Sequence, residues 1–219
     1  MAEPNYGDRP WAFTRLWLGA GAVLFTRGRG YGFDRIPASG GCVLAITHLA
    51  WIDIPLVGQL SPRMINYVAK VELGRVPVVG GYVRKHGVIE VRRGESDREA
   101  VRLMRQAARD GRVLGLFVEG TRQRSGVPGV AQPGAAMVAL QEGVPVLPVA
   151  IRGTHRWRPW NFAPCDVAVG EPITFDALPK GGRGYKDATA EIERRIRVLW
   201  DWLGELEARG RPRAAVPPL

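Results

Sequence analysis

The sequence is short of cysteine, of acid and of long apolar runs, and each shortage removes a class of function. Its 219 residues include two cysteines, Cys42 and Cys165. They stand far apart without ligand-spaced neighbours, so both are expected in buried apolar positions of a reducing compartment, outside any disulfide framework or zinc module. The longest apolar run, Leu16 to Phe25, falls well below the roughly 20 residues a helix needs to cross a bilayer. Glu3 and Asp8 near the start, and the lack of a small-x-small site before the basic segment Arg27-Gly28-Arg29-Gly30, argue against a signal peptide. Asp and Glu number 21 against 31 Lys and Arg, a formal charge of +10. Such a field attracts a polyanion, an anionic membrane or a phosphorylated substrate. No zinc spacing, basic-region heptad or aromatic RNA-reading signature accompanies the charge, so nucleic acid is not expected as a partner. No internal repeat is present.

With 46% hydrophobic residues, the chain is rich enough to bury one sizeable core. From Tyr31 onward, short Val- and Ile-rich runs alternate with helical stretches, the pattern of a single α/β domain with a largely parallel central sheet flanked by helices. The runs Cys42 to Thr47, Ile65 to Ala69, Gly87 to Val91, Val113 to Val118 and Val146 to Ile151 are expected as strands buried on both faces. Helices are expected over Asp53 to Leu60, Val76 to Lys85, Ser96 to Asp110 and Gly134 to Glu142. Ser96 and Glu99 have capping-box spacing. A last helix opens at Asp187, carries Ile192, Ile196, Leu199, Leu203 and Leu206 on one stripe, and ends before Gly210 and Pro212. At the N-terminus, Trp11 to Phe25 contains the apolar run Leu16 to Phe25, which is flanked by Arg9 and Arg15 before it and Arg27 and Arg29 after it. It is expected as an amphipathic helix lying in a membrane interface, its alternative being a helix packed on the protein's own core. The expected division is therefore an interfacial region 1–28, a domain 29–210 and a disordered tail 211–219.

Open α/β sheets bind ligands beyond the carboxyl ends of their strands, where loops and helix N-termini present free N–H groups. Four expected strands deliver chemistry to that edge: His48 after the first, Lys70 after the second, Arg92 and Arg93 after the third, and Glu119-Gly120-Thr121-Arg122 after the fourth. Each has an ordinary structural reading. Asp53, two residues before Pro55, suits a helix cap as well as it suits a histidine partner, and the two roles are compatible. The cations suit a solvated surface, and Gly120 suits a turn at positive φ. A histidine held by a carboxylate is a general base, because the acid fixes the tautomer and stabilises the imidazolium. On one helix, five positions is about 500°, which separates two side chains. His48 and Asp53 can meet only through a turn.

Four segments occur in a recognisable order: His48-Leu49-Ala50-Trp51-Ile52-Asp53, Gly87-Val88-Ile89-Glu90-Val91-Arg92-Arg93, Phe117-Val118-Glu119-Gly120-Thr121-Arg122 and Val144-Pro145-Val146-Leu147-Pro148-Val149. Together they resemble the lysophospholipid and glycerolphosphate acyltransferase family. Members carry His-x-x-x-x-Asp, a Gly-rich strand ending in Arg, Phe-Pro-Glu-Gly-Thr-Arg and an apolar Val-Pro-x-x-Pro-Val strand. The resemblance spans roughly Tyr31 to Thr154. Ala50 stands where many members have Ser, and Val118 where they have Pro. Alignment from Gly87 favours Arg93 over Arg92 as the family's arginine.

The resemblance implies an O-acyltransferase of phospholipid biosynthesis. It moves a fatty acyl group from acyl-CoA or acyl carrier protein to a lysophospholipid hydroxyl, 1-acyl-sn-glycerol-3-phosphate giving phosphatidic acid. It further implies His48 as base, Asp53 as its orienter, and Glu119, Gly120, Thr121, Arg122, Lys70 and Arg93 around the acceptor. No cofactor or metal is called for, and the expected location is peripheral or monotopic on the cytoplasmic face of the cell membrane. The rivals are acylation of another lysolipid or a glycolipid, hydrolysis by the same pair, and a non-catalytic lipid-binding protein.

Overall fold

The run Cys42–Ile46 has no polar residue, and it forms the strand at the middle of the sheet. All five residues are buried, because helices cover both faces and leave no solvent side for an alternating pattern. Our structure is a computed structural model that describes residues 17, 19–70, 88–91 and 98–218. The strands are β1 (Arg29–Tyr31), β2 (Cys42–Ile46), β3 (Ile65–Lys70), β4 (Ile89–Val91), β5 (Val113–Phe117), β6 (Val146–Arg152) and β7 (Asp166–Val169). The described helices are α1 (Ala20–Phe25), α2 (Asp53–Leu60), α3 (Arg98–Arg109), α4 (Gly134–Glu142) and α5 (Gly182–Ala208).

The strands form one sheet in the order β1-β7-β6-β2-β5-β3-β4. β6, β2, β5, β3 and β4 are mutually parallel, so the carboxyl ends of five strands share one edge. β7 runs antiparallel to β6, and β1 follows β7 in parallel. On one face, Cys42, Leu44 and Ile46 pack with Leu56 and Val57 of α2 and Ala22 of α1. On the other, Val43 and Ala45 pack with Met104, Val138, Ile192 and Ile196 from α3, α4 and α5. The stripe foreseen on the last helix is buried throughout, its lower half against β1, β6 and β7.

The α/β class and the largely parallel sheet are as expected. Two strands were not anticipated. β1 is three residues with a glycine at its centre, and β7 is four residues behind a Pro-containing loop, too short to show periodicity. The last helix begins at Gly182, ahead of the expected Asp187. The segment expected as a disordered tail must also be corrected. Arg211 is buried and forms a two-bond ion pair with Asp166 at 2.7 Å, while Arg35 donates to the carbonyls of Val169 and Pro217. Charge and backbone pairing that the composition of 211–219 conceals therefore fold this segment back. The expected helix Val76 to Lys85, the Ser96 cap and most of the N-terminal interfacial segment lie outside the described residues.

Candidate active site

The site begins where β2 ends. Thr47 continues the strand, its N–H donating to Val149 O at 3.0 Å and its hydroxyl oxygen accepting Ile151 N–H at 2.9 Å. His48 is therefore the first residue released from the sheet, and its backbone is gripped on both sides. Its N–H donates to Glu119 Oε2 at 2.9 Å and its carbonyl accepts Gln123 N–H at 2.7 Å.

The chain then turns from Ala50 to Asp53, with Asp53 N–H donating to Ala50 O at 3.3 Å. That turn returns the carboxylate to the imidazole: His48 Nδ1 lies 2.9 Å from Asp53 Oδ2. The same oxygen accepts Leu49 N–H at 2.7 Å and Ala50 N–H at 2.8 Å. The helix-cap reading of Asp53 is thereby corrected. The N-cap of α2 is Ile52 and carries no side-chain cap bond, whereas Asp53 ties the turn that precedes the helix.

Two backbone donors fix Oδ2 in place, and because a carboxylate oxygen only accepts, the contact with His48 places the ring proton on Nδ1. Nε2 is then an acceptor, and it has no hydrogen-bond partner among the described residues. Asp53 is fully buried and the His48 side chain is 14% exposed. The ring is thus fixed at one nitrogen and open at the other. Its face stacks on Phe117, with centroids 4.0 Å apart, and Phe117 stacks in turn on Tyr67. Phe117 opens the motif that runs to Arg122, but the motif does not assign it to the histidine. Its place against His48 comes from its being the last residue of β5, adjacent in register to Ile46.

The turn after β5 supplies the remaining expected residues. Gly120 has φ +67°, a conformation that L side chains adopt at a cost, and its N–H donates to Phe117 O at 3.0 Å. Glu119 is turned inward: Oε2 accepts His48 N–H and Oε1 accepts Gly129 N–H at 3.4 Å. Burial pushes its carboxyl up from the ordinary 4.5 to about 7, with Asp53 adding to the rise and the amide donors opposing it. Thr121 and Arg122 are exposed, and Arg122 forms no hydrogen bond or ion pair among the described residues. Since the next residue, Gln123, bonds the His48 carbonyl, this free cation borders the histidine loop.

Lys70 ends β3 at the same edge, with its backbone paired to Val91. Arg92 and Arg93 lie outside the described residues. The fold thus brings His48, Asp53, Glu119 and the Gly120 turn together and sets Arg122 beside them. Among the described residues, no three His, Cys, Asp or Glu side chains gather as a metal site requires.

Residues 29–152 match the family model described as Acyltransferase. The chain is 28% identical over 191 residues to the 1-acyl-sn-glycerol-3-phosphate acyltransferase of Bacillus subtilis, covering 84% of this chain and 94% of that protein. It is 37% identical over 106 residues to the lyso-ornithine lipid O-acyltransferase of Pseudomonas aeruginosa, 48% of this chain and 40% of that one. The crystal structure of the 1-acyl-sn-glycerophosphate acyltransferase PlsC from Thermotoga maritima superposes with a TM-score of 0.72. It is 26% identical and covers 92% of this chain and 80% of that chain.

Proposed function

The chain belongs to the acyltransferase family, and from that premise we propose a reaction: transfer of a fatty acyl group from acyl-CoA or acyl carrier protein to a lysophospholipid hydroxyl. The acceptor we favour is 1-acyl-sn-glycerol-3-phosphate, which gives phosphatidic acid. The observation that carries this reading is the 2.9 Å contact between His48 Nδ1 and Asp53 Oδ2, with Nε2 left open.

A glycerol hydroxyl is a weak nucleophile at neutral pH. Nε2 takes its proton as the oxygen attacks the thioester carbon, and Asp53 stabilises the imidazolium that forms. The tetrahedral intermediate collapses to the ester, and the thiolate leaves with the proton that His48 returns. Because the acceptor supplies the nucleophile, no acyl-enzyme intervenes. Arg122, joined by Lys70 and Arg93, binds the acceptor phosphate, for which a guanidinium offers paired charge-assisted donors. Glu119 enters as the group that fixes the His48 backbone, since both of its oxygens already accept amides. The basic surface and the segment 1–28 hold the protein peripherally on an anionic membrane, at the cytoplasmic face where thioester donors reside.

A second acceptor class has support in the 37% identity to a lyso-ornithine lipid acyltransferase. Purified protein incubated with one labelled acyl-CoA and a panel of lysolipids decides between them. Phosphatidic acid formed in preference to other products is the expected outcome. Preferred acylation of a phosphate-free lysolipid would replace the acceptor, and free fatty acid released without acceptor would replace the reaction.

A further inference from the structure

Three segments that converge on the open edge of the sheet carry exposed aromatic side chains. They are the end of α1, the turn after His48, and the loop that follows β6. Trp160 is 77% exposed, Trp51 57%, Phe25 46% and Phe162 46%. Three of them are linked: Phe25 meets Phe162 with centroids 5.6 Å apart, Trp51 meets the buried Trp157 at 5.7 Å, and the Trp157 indole N–H donates to Phe25 O at 2.9 Å. Trp160 stands in the same loop as Trp157 and Phe162.

The loop is built to hold this display. Asn161 Oδ1 accepts Arg158 N–H at 2.9 Å and Ala163 N–H at 3.1 Å, while its amide donates to Arg156 O at 2.8 Å. Phe162 is kept at φ +45°, a conformation that a bulky residue adopts only where its surroundings impose it. A loop serving only as a connection has no need of that strain, nor of two large aromatic side chains aimed at water.

The charge around the patch is mainly positive: Glu207 of α5 is engaged by Arg156 and Arg152, and Asp53 is fully buried. Arg27 and Arg158 are exposed beside it, and neither is paired with a carboxylate among the described residues. Residues 19–33 and 153–165 contain no Asp or Glu. An aromatic centre with a cationic rim matches the headgroup region of an anionic bilayer, where Trp and Phe sit at the interface and arginine meets phosphate. A second copy of this chain would bring the same cationic rim, and the net charge of +10 opposes that pairing.

We propose that the loop at 155–162 and Trp51, together with Phe25 from the end of the N-terminal region, form a membrane-docking surface carried mainly by the folded domain, and that it seats the His48 edge on anionic lipid. The last clause rests on the proposed reaction, because an acceptor drawn from the bilayer reaches Nε2 only if this edge faces the membrane.

The full chain can be tested on vesicles of phosphatidylcholine with and without phosphatidylglycerol. Trp160→Cys carries an environment-sensitive fluorophore selectively, since Cys42 and Cys165 are fully buried. Its emission is expected to shift to the blue on phosphatidylglycerol vesicles and to be quenched by brominated lipid. A label at Val216→Cys, 75% exposed near the opposite edge, is expected to stay unchanged. The double variant Trp160→Ala/Phe162→Ala is expected to lower vesicle affinity about tenfold, as loss of two partly inserted rings implies. Arg158→Gln is expected to lower it about fivefold on phosphatidylglycerol alone.

Vesicle binding without a change at the 160 label, or unchanged affinity in the double variant, overturns the proposal. So does a self-association that the double variant abolishes in sedimentation velocity, which would assign the surface to a second copy. With a short-chain, monomeric acceptor the folded double variant is expected to turn over like wild type; a loss there would make the patch part of the substrate site. If no acceptor is acylated at all, the catalytic reading fails, and the vesicle measurements still decide the docking surface.

Discussion

At the residue scale, one buried oxygen sets the properties of the histidine. Asp53 Oδ2 meets His48 Nδ1 and two backbone N–H groups, so its replacement disturbs the turn as well as the imidazole. His48→Ala is expected to lower kcat by roughly 10²–10⁴-fold, the usual worth of a positioned base, with little change in Tm. Full turnover in that variant would remove His48 from the reaction. Asp53→Asn is expected to lose as much in kcat, because an amide can turn its N–H₂ toward Nδ1 and reverse the tautomer. It is also expected to lose about 1–3 kcal/mol of stability through unsatisfied amides. Activity lost without any fall in Tm would mean that the turn does not need the carboxylate. Glu119 adds a pH dependence. With a carboxyl pushed up to about 7, the folded state keeps a proton that the unfolded chain releases near 4.5. Stability from this group therefore falls as pH rises from about 4.5 to 7 and levels off above. The size is of order 3 kcal/mol. Denaturant unfolding of wild type and Glu119→Gln at pH 5 and pH 8 checks it: the loss between the two pH values is expected to be smaller in the variant, and equal losses would refute the shift.

At the scale of elements, the turn after β5 carries the cation proposed to bind the acceptor. Arg122 is exposed and unpaired among the described residues, so Arg122→Ala has little folded structure to lose. Its expected effect is a rise in acceptor KM of tenfold or more with Tm unchanged, since a charge-assisted contact is worth about 1.5–3 kcal/mol. An unchanged KM for the phosphate-bearing acceptor would place the phosphate elsewhere. The strand that leads to His48 and the turn that bears Arg122 were both legible in the sequence, because unbroken apolar runs such as Cys42–Ile46 suit strands buried on both faces. The convergence of their ends followed from the sheet rule alone. The inward rotation of Glu119 was not legible, since an acid beside Gly-Thr-Arg looks like a ligand for substrate and only the position of the His48 N–H reveals its actual partner. Phe117 and Trp51 were missed for a related reason. Their roles depend on which strand lies next to which, and that is a property of register rather than of local pattern. β1 and β7 escaped notice because three or four residues carry no period.

At the scale of the whole molecule, the segment around β1 and the segment after α5 are tied together at the border of the same edge. Arg29 of β1 and Arg152 of β6 are in register with Asp166, the first residue of β7, and Asp166 receives Arg211 from beyond α5. Arg211 also donates to the carbonyls of Arg27 and Cys165 at 2.8 and 3.3 Å. One guanidinium thus joins the segment leaving α1, the start of β7 and the C-terminal tail, and these elements flank the aromatic surface. Arg211→Ala leaves Asp166 buried without its counter-charge, which typically costs about 3–5 kcal/mol. For a chain of this length that corresponds to a fall in Tm of about 10 °C. Arg211→Ala combined with Asp166→Asn is expected to recover part of the loss, since the uncompensated charge is gone. If the fall in Tm reflected lost packing of the tail alone, the double variant would be no more stable than the single one, and thermal unfolding of the two side by side distinguishes the cases.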